Sequence, residues 1–203
     1  MATTANRRSA DDGFSMLEAM VAASIVAICL VGSIGFVLTA LRTTRAQASL
    51  LFAVTLATDA VETARTQAGS AVLKGRDLNS VQAQWSTATA RVRAVVGANP
   101  LAVDSTAASG SGATATLPTV PTVTTDANGV TYRRSYFVNR CWQPTDGTTC
   151  QSTATGTAYL LVVVDLDWSV RGQCDQPPCE YVTAAQLAAN NADAVFDPFA
   201  DTV

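Results

Sequence analysis

From Phe14 to Leu41 the chain is apolar, FSMLEAMVAASIVAICLVGSIGFVLTAL, and Glu18 is its one charge. Coiled as a helix, such a run extends about 40 Å, enough to cross a bilayer core of about 30 Å. Beyond Arg42 and Arg45 the pattern changes. Leu50, Val54, Ala57, Val61, Ala64 and Ala68 recur at spacings of four and three, which is one stripe of an amphipathic helix. Arg45, Asp59, Glu62 and Arg65 stand off the stripe, and Glu62 and Arg65 are spaced to pair. No proline interrupts residues 14–68, so one long helix is predicted, greasy all round over 14–41 and one-sided beyond. Gly32 and Gly35 are its weakest points, and Gly69 and Gly75 bracket its end.

The polar–apolar rhythm then weakens. Residues 78–96 admit a short helix around Val81–Val96. Residues 97–128 are rich in Ala, Ser, Thr, Gly and Pro, carry no helical stripe, and read as a surface loop with a short extended piece. Asn128-Gly129 signals a turn. After it, Val130–Arg140 and Thr157–Arg171 read as strands. In the second, Ala158, Leu160, Val162, Val164, Leu166, Trp168 and Val170 fall on one face. The other face runs from Tyr159, Leu161 and Val163 to Asp165, Asp167, Ser169 and Arg171, turning polar along its length. The expected fold class is therefore α+β, a long N-terminal helix whose second half packs on a C-terminal antiparallel β-sheet. Its parts are a leader at 1–13, a helix at 14–68 with 14–41 in the membrane, and a globular head at 69–203.

Composition sharpens this picture. Only 14% of the 203 residues are charged, against about a quarter in a typical soluble domain, so part of the chain is expected to meet lipid. A net charge of −3 argues against a general nucleic-acid binder, and no specific nucleic acid is implied. The absence of histidine removes Ser-His-Asp and Cys-His catalysis, His-ligated metals and His pH switches. No Walker loop or dinucleotide-binding glycine pattern is present. No catalytic residues and no cofactor are expected.

The sharpest feature is the junction Gly13-Phe14-Ser15-Met16-Leu17-Glu18. A carboxylate within a membrane helix costs about 2.5–3.5 kcal/mol on insertion scales, so it normally has a partner or a job. Ser15-x-x-Glu18 also fits a capping box. A secretory signal peptide would have a shorter apolar stretch and a cleavage site after it. An ordinary single-pass anchor is a further alternative. The junction resembles the signal of type IV prepilins and of type II secretion pseudopilins. That resemblance implies cleavage after Gly13 by a prepilin peptidase and N-methylation of Phe14. It also implies that Glu18 acts in assembly. Leu56–Arg65 looks like a stretch of PilV-type minor pilins, and Tyr136–Trp142 and Val162–Trp168 resemble strands of their heads.

By that resemblance the chain is a minor pilin, a structural subunit and not an enzyme. Its partners would be the prepilin peptidase, other pilin subunits with their assembly machinery, and the membrane through residues 14–41. It would sit in the bacterial cytoplasmic membrane with its head outside, then in the pilus. A secretion pseudopilin, or a single-pass surface protein whose head binds a ligand, are the alternatives. Two features depart from the family. Asp11-Asp12 stand beside the cleavage site where basic residues are usual, and the helix lacks the proline common in major pilins, which leans toward a minor subunit.

Four cysteines, Cys141, Cys150, Cys174 and Cys179, lie in the last third, and Cys29 lies in the apolar run. An even set in an exported region reads as two disulfides. The local pairs Cys141–Cys150 and Cys174–Cys179 are the expected choice among three connectivities, and a four-cysteine zinc site is the alternative. Asp165 and Asp167 share a strand face and are either solvated or part of a calcium site, although calcium takes six to eight oxygens. No metal is assigned.

Overall fold

The computed structural model describes residues 15–67, 69–97, 101–143, 157–170, 174 and 178–189. The elements are α1 (Met16–Arg65), α2 (Leu78–Ser86), α3 (Ala90–Val96), and the strands β1 (Thr122–Thr125), β2 (Thr131–Gln143), β3 (Thr157–Trp168) and β4 (Cys179–Ala188). Two compact units divide the chain, Met1–Arg45 and Ala46–Val203. In the first, α1 leaves its large apolar side chains bare: Met16 is 82% exposed, Ile28 73% and Phe36 75%. By length and composition this helix can cross a membrane, and none of its most apolar stretch is buried.

The second unit is a helix on a sheet. β1-β2-β3-β4 form an antiparallel meander in sequence order. The β1–β2 turn closes at Gly129, whose φ of 79° suits a residue without a Cβ. The 46–65 part of α1 lies on one face of the sheet. Ala53, Ala57, Ala60 and Ala64 are fully buried there with Val61, against Tyr132, Leu160, Val162, Val164, Leu166 and Trp168. Ala57, Val61 and Ala64 of the predicted stripe are in this seam, and its N-terminal positions are not. Leu50 is exposed and Val54 half-buried, whereas Ala53 and Ala60 are at the seam. Alanines let the helix approach closely while the sheet supplies the bulk. Ala68 lies outside the described residues. Glu62 and Arg65 are both exposed, and the ion pair from this part of the helix runs instead from Asp59 to Arg134, 3.6 Å apart.

The opposite face of the sheet is also covered. Val92 and Val96 of α3 pack on Phe137, Cys141, Tyr159, Leu161 and Val163, so both faces of β3 are buried rather than one. The predicted single helix within 78–96 is two, the first closing at Thr87 and the second starting from Thr89, whose backbone is extended. Each is started by a side-chain cap: Asp77 accepts from the Ser80 N–H, and Thr89 from the Val92 N–H. β4 has no counterpart among the expected strands. β3 ends at Trp168, and Arg171, expected within it, lies outside the described residues.

The segment expected to be a surface loop is instead fastened down. Its 101–119 part is stitched to residues 74–77: Asp104 N–H to the Arg76 carbonyl at 2.9 Å, Gly75 N–H to Asp104 Oδ2 at 3.0 Å, Thr116 N–H to the Lys74 carbonyl at 3.2 Å, and Gly112 N–H to Asp77 Oδ2 at 3.0 Å. Leu117 and Ala102 are buried.

Candidate functional site

The N-terminal junction comes first. Gly13 and Phe14 lie outside the described residues. α1 begins from Ser15, whose carbonyl accepts from the Glu18 and Ala19 N–H groups at 2.9 and 3.1 Å. Glu18 stands in the first turn, exposed on a helix whose neighbouring side chains are apolar.

The head carries the cysteines. Cys174 and Cys179 are joined as a disulfide with Cα atoms 5.5 Å apart, at the point where β4 begins. Cys141 is buried on β2 and disulfide-bonded, while Cys150 lies outside the described residues. Cys29 is a free thiol exposed on the apolar helix.

Asp165 and Asp167 occupy the polar end of the sheet face that α3 covers. Strand register places Arg133, Asp167 and Glu180 side by side, and Ser135, Asp165 and Val182 in the row above. Asp165 is buried, and its Oδ1 has no hydrogen-bond partner. Burial, and after it the nearby charges of Glu180 and Asp167, push its carboxyl up to about 7. Asp167 is raised as well, chiefly by burial, with Arg133 opposing. Among the described residues no group of three or more Cys, Asp or Glu side chains is arranged to hold a metal ion.

Beside this pad lies an open groove of about 860 Å³, lined among others by Leu50, Arg91, Arg133, Trp168, Pro178 and Glu180. An aromatic chain backs it. Phe52 and Tyr132 ring centres are 4.9 Å apart, and Tyr132 and Trp168 are 5.7 Å apart. The Trp168 indole N–H is buried without an acceptor.

Sequence reasoning missed Arg76. It is completely buried, yet it reaches three acceptors: the Leu117 carbonyl at 2.5 Å, Gln84 Oε1 at 3.0 Å and the Tyr136 carbonyl at 3.1 Å. Desolvation lowers its pKa to about 10. The guanidinium thereby ties α2, the 101–119 segment and β2 together. No local pattern marks it, because two of its acceptors are backbone carbonyls far away along the chain. Asp77 and Thr89 did carry a signal, being N-cap residue types set just ahead of each short helix.

No known family, curated protein or solved structure matches this chain.

Proposed function

We propose that this chain is a minor type IV pilin, cleaved after Gly13, anchored through residues 14–41, and assembled with other pilin subunits. The observation that carries the reading is the Gly13–Glu18 junction, set directly against an apolar helix that continues as the spine of an α+β head. Cleavage would leave a positive amine on Phe14 at the greasy end of that helix. Glu18 of one subunit would then neutralise the Phe14 amine of a neighbour, so both charges leave water already paired and the desolvation penalty is reduced. The bare apolar surface of Met16–Leu41 would pass from lipid to the packed core of a filament without meeting water. The role is structural, and the prepilin peptidase acts on the chain as its substrate.

The disulfide Cys174–Cys179 supports an oxidising, extracytoplasmic location for the head. Mass spectrometry of the chain after co-expression with a prepilin peptidase tests the reading. The expected mature form begins at Phe14 and carries one added methyl group. A chain still beginning at Met1 or Ala2 would overturn it.

A further inference from the structure

The two rows of side chains beneath the N-terminal end of α3 are unequally served with counter-charge. In the outer row Asp167 stands directly opposite Arg133 on β2 and Glu180 on β4. Glu180 is held from above: Arg91 Nε lies 3.4 Å from its Oε2, Arg91 Nη1 donates to its carbonyl at 3.2 Å, and the Thr89 hydroxyl donates to its Oε1. Thr89 is the N-cap of α3, so the grip on Glu180 fixes the end of that helix. In the inner row Asp165 has only Ser135 and Val182 as lateral neighbours. The charged groups on the surrounding elements are Arg133 from β2, Asp167 from β3 itself, Glu180 from β4 and Arg91 from α3. Arg93 is turned away, donating to the Ala88 and Trp85 carbonyls and stacking on Trp85. α2 contributes no charge. Three acids thus share two bases, and the acid left over is the buried one.

We propose that Asp165 is a pH-sensing group that controls how tightly the Thr89–Arg91 end of α3 is latched to Glu180, on the wall of the 860 Å³ groove. With its proton, Asp165 is a neutral side chain buried beneath the helix. Losing it places a third negative charge beside Glu180 and Asp167 with no cation to answer it, which favours lifting the α3 end and admitting water. The carboxyl, raised by burial to about 7 when latched, returns toward an ordinary value when hydrated. Through Asp165, latched and open states therefore differ in bound protons between about pH 4 and pH 7. The latch is tightest at the acid end, loosens as pH rises through that window, and is flat above it. The device belongs to the head and is independent of the filament reading.

Hydrogen–deuterium exchange of the full chain in detergent micelles, corrected for the intrinsic pH dependence of exchange, tests it. Protection across 90–96 should fall by up to about tenfold per pH unit from pH 5 to 7 and level off above. Asp165→Asn should hold that protection at its acid value throughout. Equal loss across 78–86 and 131–143 would mean global loosening and overturn the latch. So would protection across 90–96 that does not change with pH. The carboxyl carbon shift of Asp165 in the unaltered chain, set against the exchange profile of 90–96, is the measurement that serves even if the variant does not fold. Loss of protection across 90–96 that follows the Asp165 midpoint supports the latch, and an ordinary midpoint near 4, or protection lost at a different pH, overturns it.

Discussion

A single arginine holds three separate parts of the head. Arg76 is charged and fully buried, and its partners are neutral oxygens of Leu117, Gln84 and Tyr136. Among the described residues it has no counter-ion, so it gains little from Coulomb attraction. Its worth lies in satisfying acceptors that would otherwise be buried and bare, each a loss of about 1–3 kcal/mol. Arg76→Met fills the space but donates nothing, and should destabilise the head by about 2–4 kcal/mol in urea unfolding of the micelle-bound chain. Arg76→Lys should recover only part of this, because one ammonium cannot reproduce the planar fork. Asp77 supplies a second residue-scale effect. Hydrogen bonds from the Ser80 side chain and N–H, helped by the Gly110 and Gly112 N–H groups, hold its carboxyl down to about 2. Asp104 is lowered too, first by the Thr106 hydroxyl and then by the Gly75 N–H. Groups depressed in the folded state stabilise it above their unfolded pKa and stop doing so as pH falls through the folded value. The melting temperature should therefore drop between about pH 4 and pH 2, and Asp77→Ala should make that acid limb shallower while lowering the whole curve.

Among the elements, the seam of α1 shows what could be read in the sequence and what could not. Periodicity located the helix and its one-sidedness, and it located β3 with its Leu160-Val162-Val164-Leu166-Trp168 face in the main core. It ran the seam through Leu50 and Val54 as well as Ala57, Val61 and Ala64, whereas the sheet presents Tyr132 and Trp168, takes alanine at Ala53 and Ala60, and leaves Leu50 outside. Two substitutions separate the readings. Ala53→Leu, off the predicted stripe, forces new atoms into a fully buried site and should cost about 1–3 kcal/mol or more. Leu50→Ala, on the predicted stripe but 46% exposed, should change stability by no more than about 0.5 kcal/mol. Thermal unfolding of the pair in the same micelles checks both. β4 was illegible for a different reason. Thr183-Ala184-Ala185-Gln186-Leu187-Ala188 favours a helix by composition, and only pairing along the whole of β3 draws it into a strand. The docked 101–119 segment has no periodic signal because its hydrogen bonds run to residues 74–77. The acid pad was half legible: alternation put Asp165 and Asp167 on one face, but only register brings Glu180 and Arg133 to them.

On the scale of the whole molecule, the proposed anchoring requires the head to be held outside, and flanking charge alone does not dictate that. Orientation follows the positive residues flanking a span, with acids counting little. Before the apolar run stand Arg7 and Arg8, and after it Arg42 and Arg45, so the two sides balance. Asp11 and Asp12 beside the proposed cleavage site do not alter that count. The cysteines provide the missing asymmetry, because a disulfide such as Cys174–Cys179 persists in an oxidising compartment and not in a reducing one. On the proposed topology the head is outside, and the fraction of chains with this pair oxidised reports the fraction correctly inserted. Tilting the charge balance should move that fraction in opposite directions. Arg42→Gln with Arg45→Gln should raise it toward completeness. Arg7→Ala with Arg8→Ala should lower it, with the lost chains accessible to a thiol reagent only after the membrane is opened. Alkylation of intact cells, read by mass shift at Cys174 and Cys179, distinguishes the two. Equal oxidation in all three chains would mean that insertion is directed by something other than flanking charge, and a head that is reduced in all of them would place it on the cytoplasmic side.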